Sequence, residues 1–165
     1  MTEIAQYGEA VLRSKATVIT EFTPELGQLA ARMSQIVEAL QGLGLAAPQL
    51  RVPKQLIVAR LNSERLLVLV NPRLELSPER ELGYERCLSL PGELLLPVER
   101  ALAVEVEAHD LDGQALRFTA SGRAARVLQH EYDHLQGQLI LDRTTRSERN
   151  QALRSLRQAD LNDRL

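Results

Sequence analysis

Residues 129–137 read QHEYDHLQG, and this stretch limits the fold more than any other. Two histidines four apart, His130 and His134, lie on one face of a helix, and two imidazoles so placed can grip one metal ion. A catalytic site of this kind takes three protein ligands and keeps a position open for water. The chain must therefore bring a further ligand from a distant segment to this helix face.

The surrounding residues support the helix. Ser121 is suited to cap its start and Gly137 to stop it. Ala124, Val127, Leu128, Glu131 and Leu135 follow the i, i+3, i+4, i+7 pattern, which puts Glu131 on the apolar stripe. A carboxylate turned toward a core needs a partner or a task, and water at a metal supplies both. A surface helix with ordinary charges would leave the inward Glu131 unexplained. Asp133 faces the other way, as a structural ion pair would.

The sequence has one cysteine, Cys87, so no intramolecular disulfide can form. A lone cysteine is ordinarily a small buried apolar residue. Beside a two-histidine metal motif it is also the obvious thiolate candidate. The H-E-x-x-H pattern alone suggests a metal hydrolase, with the histidines binding and the glutamate acting as general base. A general peptidase, or a cysteine hydrolase pairing Cys87 with a histidine, fits the same residues.

A chain of 165 residues, 44% apolar and 25% charged, fits one soluble domain over 1–165. The net charge of −2 gives no electrostatic case for wrapping nucleic acid or lying on an anionic membrane. No apolar run approaches the ~18 residues of a membrane span, and the opening MTEIAQYGEAVLR lacks the pattern of a signal peptide. The expected location is cytoplasmic.

Thr23-Pro24 marks a helix start. Leu26, Leu29, Ala30, Met33, Ile36, Val37 and Leu40 then give a core stripe, and Gly42 can end it. QLIVARL (55–61) and RLLVLVNP (65–72) read as a hairpin joined through Asn62, Ser63 and Glu64. VEVEAHDLDGQALRFTA reads as another, with Asp112-Gly113 at its turn and His109 on a solvated surface. The tail from Ser147 reads as a docked, half-solvated helix, with Ala152, Leu153, Leu156 and Ala159 on one side.

GLGLAAPQ (42–49), ERCLSLP (85–91) and HEYDHLQG (130–137) stand in that order, and together they resemble the signature set of peptide deformylases. The resemblance extends to YGEAVLR near the start, LVNP at 69–72, the VERALAVEVEAHDLDG region and the ILDR after the metal helix. It implies an α+β fold, with antiparallel β-sheets around a central metal-binding helix and with N-terminal and C-terminal helices. It implies an amide hydrolase that removes the N-formyl group from the initiator methionine of nascent polypeptides and releases formate. A paralogue with altered substrate preference, or one that only binds formylated peptides, is the alternative.

By that resemblance the metal ligands are Cys87, His130 and His134, and the physiological ion is Fe2+, with Zn2+, Ni2+ or Co2+ able to occupy purified protein. Glu131 is the general base and then the proton donor to the departing nitrogen. The Gln49 side-chain amide and the Leu88 backbone N–H stabilise charge on the carbonyl oxygen. Leu43, Gly44, Glu85 and Val127 match positions near the methionine side chain or the peptide backbone, and a weak ribosome contact falls to the C-terminal helix. Three arginines depart from the pattern. Arg86 and Arg51 stand where glycine is usual and Arg123 where an apolar residue is, so the rim of the peptide cleft is expected to differ.

Overall fold

The computed structural model describes residues 3–61, 65–92 and 94–162, with side chains as far as Gln158. The stripe between Leu26 and Val37 forms helix α1 (Pro24–Ala39), with Thr23 at the N-cap. Leu40 departs from the expectation. It is the C-cap and half exposed, because the helix closes one residue before it. Nor does Gly42 supply the left-handed residue. Gln41 does, at φ 51°, while the Gly42 and Gln41 N–H groups donate to Val37 and Glu38 carbonyls at 2.8 and 3.1 Å. That double closure satisfies two carbonyls the helix end would leave orphaned.

Strands β1 (Gly44–Ala46), β2 (Leu56–Arg60), β3 (Leu66–Leu76), β6 (Ala103–His109) and β7 (Ala115–Ser121) make one antiparallel sheet in the order β1-β2-β3-β6-β7. Strands β4 (Arg80–Glu85) and β5 (Leu96–Ala101) form a separate two-stranded ribbon. Both expected hairpins are present as adjacent pairs, β2–β3 and β6–β7. The turn residues Asn62, Ser63 and Glu64 lie outside the described residues. In the second turn Gly113 takes φ 79°, and the Asp110 carboxylate accepts the Asp112 and Gln114 N–H groups, both at 2.9 Å. His109 is not on a solvated surface: it is half-buried with its ring edge-on to Phe22.

The sheet carries a helix on each face. Leu45, Leu56, Val58 and Val70 pack with α1, whereas Ala46, Ile57, Ala59 and Leu69 pack with α2 (Gly122–Leu135). Strand β2 is thus buried on both sides, so LIVAR reads as a continuous apolar run instead of alternating. Each of its large side chains contributes about 1.5–3 kcal/mol by leaving water. At Asn71-Pro72 two residues of β3 oppose one of β6, a β-bulge. Asn71 sits there at φ 51° and its amide pairs with both the N–H and C=O of Ile19, each at 2.8 Å.

The other face of α2 meets the ribbon, so the helix lies between two sheets. A third cluster joins Cys87, Leu90, Leu96 and Val98 to Leu139–Leu141 and to Ala152 and Leu156 of α3 (Arg146–Asn162). The tail is thereby docked as expected; the Ala159 side chain lies outside the described residues. Gly137 stops α2 at φ 72°, with its α-carbon so close to the Arg13 carbonyl that an added methyl would stand 2.6 Å from the oxygen.

Candidate metal centre

Strand alternation beyond β4 sets up one side of the centre. Glu85, Cys87 and Ser89 point inward and are buried, while Arg86 and Leu88 point out. Helix α2 supplies the other side, with His130 and His134 one turn apart and their ring centroids 5.2 Å from each other. The Cys87 sulfur lies 3.4 Å from His134 Nε2. Ligand atoms of Cys87, His130 and His134 all fall within 4.8 Å of one another. Ligands on one tetrahedral ion at usual bond lengths stand about 3.3–3.8 Å apart, so the trio needs little adjustment. One sulfur and two nitrogens suit a divalent ion of the later transition series.

The buried side chains of the centre also shift one another. Burial pushes the Cys87 thiol up, but His134 and His130 outweigh it and hold the group well below the ordinary thiol range. Burial likewise pushes His130 down, and its bonds to Cys87 and Glu85 reverse this and raise it well above an ordinary imidazole. Glu131 Oε2 is buried with no hydrogen-bond partner among the described residues. Such orphaned polar atoms are uncommon and mark a place where something else is meant to bind.

Glu131 is buried, as its place on the apolar stripe predicts, and burial holds its carboxyl above the ordinary range. Its neighbour is Gly44 on β1. A methyl on that glycine would stand 2.5 Å from Glu131 Oε1 and 2.8 Å from Cγ, so the missing side chain makes room for the carboxylate. Leu43 and, on α2 itself, Val127 pack in the apolar cluster between the helix and the sheet, Val127 buried and Leu43 partly so.

Gln49 sits in a short 3-10 turn, Ala47–Leu50, and is buried. Its carbonyl accepts the Ala46 N–H at 2.9 Å and its amide donates to Ser89 Oγ at 3.1 Å, 4.0 Å from the Cys87 sulfur. The Cys87–Leu88 peptide is held by the bond from Leu90 N–H to the Cys87 carbonyl at 3.0 Å, which fixes the plane in which the Leu88 N–H lies. The N-terminal segment ties both loops: Ala5 N–H donates to the Gln49 carbonyl and Tyr7 N–H to the Ser89 carbonyl, at 2.7 and 2.8 Å.

Glu85 has both oxygens engaged. Oε2 pairs with His130 Nδ1 at 2.9 Å, and Arg100 grips the carboxylate with Nε and Nη2 at 2.8 and 2.9 Å. Burial raises the Glu85 carboxyl, yet Arg100 and His130 prevail and leave it far below the ordinary range. Bonding Nδ1 in this way turns His130 Nε2 toward the cluster. Arg100 reaches on to Asp133, 2.6 Å away, which Arg143 also holds at 2.7 Å. Asp133 is therefore the structural ion pair expected of it.

Arg100, Arg126 and Ser89 went unread in the sequence. For Arg100 a signal existed: the period of two in β5 puts Leu96, Val98 and Arg100 on the buried face, the same conflict of charge with apolar pattern that singled out Glu131. Of the three departing arginines, Arg86 and Arg123 are exposed. Arg51 is tied to the N-terminal segment. It takes φ 64°, which explains why glycine suits the position, and its guanidinium forks onto Glu9 at 2.8 and 2.7 Å and reaches the Glu3 carbonyl.

Residues 1–150 match the family model described as polypeptide deformylase. The chain is 42% identical over 142 residues to a peptide deformylase of Dictyoglomus thermophilum, covering 86% of this chain and 91% of that protein. Among solved structures, a peptide deformylase of Synechococcus elongatus in complex with actinonin is 42% identical with a TM-score of 0.86, covering 92% of this chain and 84% of that one. Peptide deformylase 1B of Arabidopsis thaliana, in complex with an inhibitor, aligns at a TM-score of 0.89 and 33% identity over 96% of this chain and 90% of its own. No described helix is long and apolar enough to cross a membrane.

Proposed function

The chain belongs to the polypeptide deformylase family, and from that premise we propose that it removes the N-formyl group from the initiator methionine of nascent polypeptides, releasing formate. It is a metal-dependent amide hydrolase. The observation that carries this reading is the meeting of Cys87, His130 and His134 within ligand distance of one another, beside the buried carboxylate of Glu131.

Cys87, His130 and His134 hold the ion, which we take to be Fe2+ in the cell, with Zn2+, Ni2+ or Co2+ able to replace it. When bound, the ion supplies Lewis acidity that polarises the formyl carbonyl and acidifies water. Glu131 takes a proton from the attacking water and later returns it to the peptide nitrogen, which would otherwise leave as a very poor anion. The low-polarity setting that raises its carboxyl suits a group that must both accept and give up a proton near neutrality. The Gln49 amide and the Leu88 N–H donate to the carbonyl oxygen as negative charge grows on it, and removing one such donor costs ~10²–10³ in rate.

Glu85, expected beside the substrate, has both oxygens engaged by Arg100, Arg126 and His130, and we assign it the orientation of His130 from behind instead. Leu43, Gly44 and Val127 form the wall beside the methionine, and Gly44 also admits the Glu131 carboxylate. We assign one catalytic domain to 1–165, a cytoplasmic location, and a weak ribosome contact to α3. Formate release from a short formyl-Met peptide, with protein prepared anaerobically with ferrous iron, tests the activity. Release is expected from the intact protein, far slower from Glu131→Gln and not from the unformylated peptide; no release from metal-loaded protein would refute the assignment.

A further inference from the structure

Helix α2 has two opposed stripes. Its apolar one faces the five-stranded sheet, and Arg126, Gln129, His130 and Asp133, spaced i, i+3, i+4 and i+7, face the β4–β5 ribbon. Gln129 pairs with both the N–H and the C=O of Ala101, at 3.0 and 2.9 Å. Arg126, one turn before His130, donates to Glu85 Oε1 at 2.9 Å, to the Val98 carbonyl at 2.8 Å and to the Glu81 carbonyl at 2.9 Å. One side chain on the helix of the histidines thus reaches both strands of the ribbon that leads to Cys87.

Besides the bonds from Arg126, strand β4 is tied to α2 by the pair that its Glu85 makes with His130. Its Leu82 and Tyr84 are each 65% exposed, and Glu85 is its one buried side chain. The apolar anchoring of the ribbon comes through Leu96 and Val98 of β5, on the side of Leu139–Leu141. Gly83 gives the second observation. It pairs with Val98 and has no left-handed φ, so its backbone does not call for glycine. A methyl there would stand 2.6 Å from Arg126 Cζ and 2.7 Å from Nη2. What the absent side chain provides is room for the guanidinium.

Resting on the metal-centre reading above, we propose that Arg126 is a positioning residue for that centre. Laid across Gly83, it fixes β4 against α2, and so sets the separation between Cys87 and the two histidines while it shares with Arg100 the carboxylate that orients His130. Groups behind metal ligands act on affinity by orienting those ligands, and their loss typically weakens binding ~10–100-fold.

The test is Co2+ affinity, read by chelator competition and by thiolate-to-cobalt absorption, for the full chain and for Arg126→Ala, Gly83→Ala and the double variant. Arg126→Ala should bind Co2+ about 10–100-fold more weakly. Gly83→Ala should shift affinity in the same direction, since its methyl displaces the guanidinium while the fold survives. The double variant should be no weaker than Arg126→Ala alone, because both changes remove one contact. Arg126→Lys should fall between Ala and the intact protein. Unchanged affinity in Gly83→Ala, or fully additive losses, would overturn the proposal, as would a lowered melting temperature with Co2+ binding intact. Should Arg126→Ala fail to fold, Gly83→Ala decides. Failure of the intact protein to bind Co2+ would instead refute the metal-centre reading, so the two failures are distinguishable.

Discussion

Gly44 and Glu131 share a space that admits no further atom: a methyl on the glycine would stand 2.5 Å from the carboxylate oxygen. Gly44→Ala should therefore displace the base and leave the ligands in place. A misplacement of about 1 Å at a reacting group costs on the order of 10²-fold. Formate-release kinetics should show that loss in kcat/KM, with bound metal still stoichiometric by elemental analysis.

Glu131→Gln should separate activity from stability. The buried Oε2 has no partner among the described residues, and an unsatisfied charged group in such a place costs about 1–3 kcal/mol or more. The neutral amide should therefore raise the melting temperature of the metal-free protein while lowering kcat by about 10²–10⁴. Calorimetry of the chelated proteins and single-turnover assays of the loaded ones check the two halves.

Stripping the metal with a chelator should abolish activity, and adding back a divalent ion should restore it. Cys87→Ala should lose activity and not recover on addition of Fe2+ or Co2+, since two ligands remain of three. Recovery in that variant would show that the sulfur is not a ligand.

Arg51 and Glu9 predict a pH effect. The Arg51 fork, joined by the Gln6 N–H, holds the Glu9 carboxyl below its ordinary value. A depressed carboxyl stabilises the fold above its unfolded value and loses that contribution as pH falls through the folded one. The left-handed backbone of Arg51 costs about 1–2 kcal/mol at any pH. Arg51→Gly removes both, so its stability relative to the original should rise as pH falls below about 4.5. Urea unfolding from pH 7 to pH 3 measures the crossover.

Asn71→Ala should destabilise by about 1–3 kcal/mol, since Ile19 loses both amide partners. Asn71→Gly keeps the left-handed backbone accessible yet lacks the amide, so it should recover only the part due to conformation. Denaturant midpoints of the two variants divide the cost.

Much of the architecture was legible because local chemistry agreed with the tertiary fold. Thr23-Pro24, the period of α1, and the two hairpins needed no distant partner to be read. The inward Glu131 was legible for the opposite reason, as a charge in conflict with its stripe. His109 was misread because burial by Phe22, far away in sequence, leaves no trace in its own neighbourhood. The tie of Arg51 to Glu9 was hidden for a similar reason: the departure from glycine shows in the sequence, but the left-handed backbone and the distant partner do not. Most of the polar stripe on α2 was also hidden, because Arg126 and Gln129 look like an ordinary solvated face until a ribbon is laid over them.

Strand β7 ends at Ser121 and α2 begins at Gly122, with no loop between; Gly122 turns the corner at φ 55° and its N–H is held by the Leu102 carbonyl at 2.8 Å. The helix therefore inherits its rotational phase from the sheet. One residue inserted at this joint would advance every later position by about 100° around the helix axis, carrying His130 and His134 off Cys87 together. Surface loops can lengthen during divergence at little cost to the chemistry, but this junction counts residues, and a single insertion or deletion here would dismantle the centre while leaving each of its ligands in the sequence.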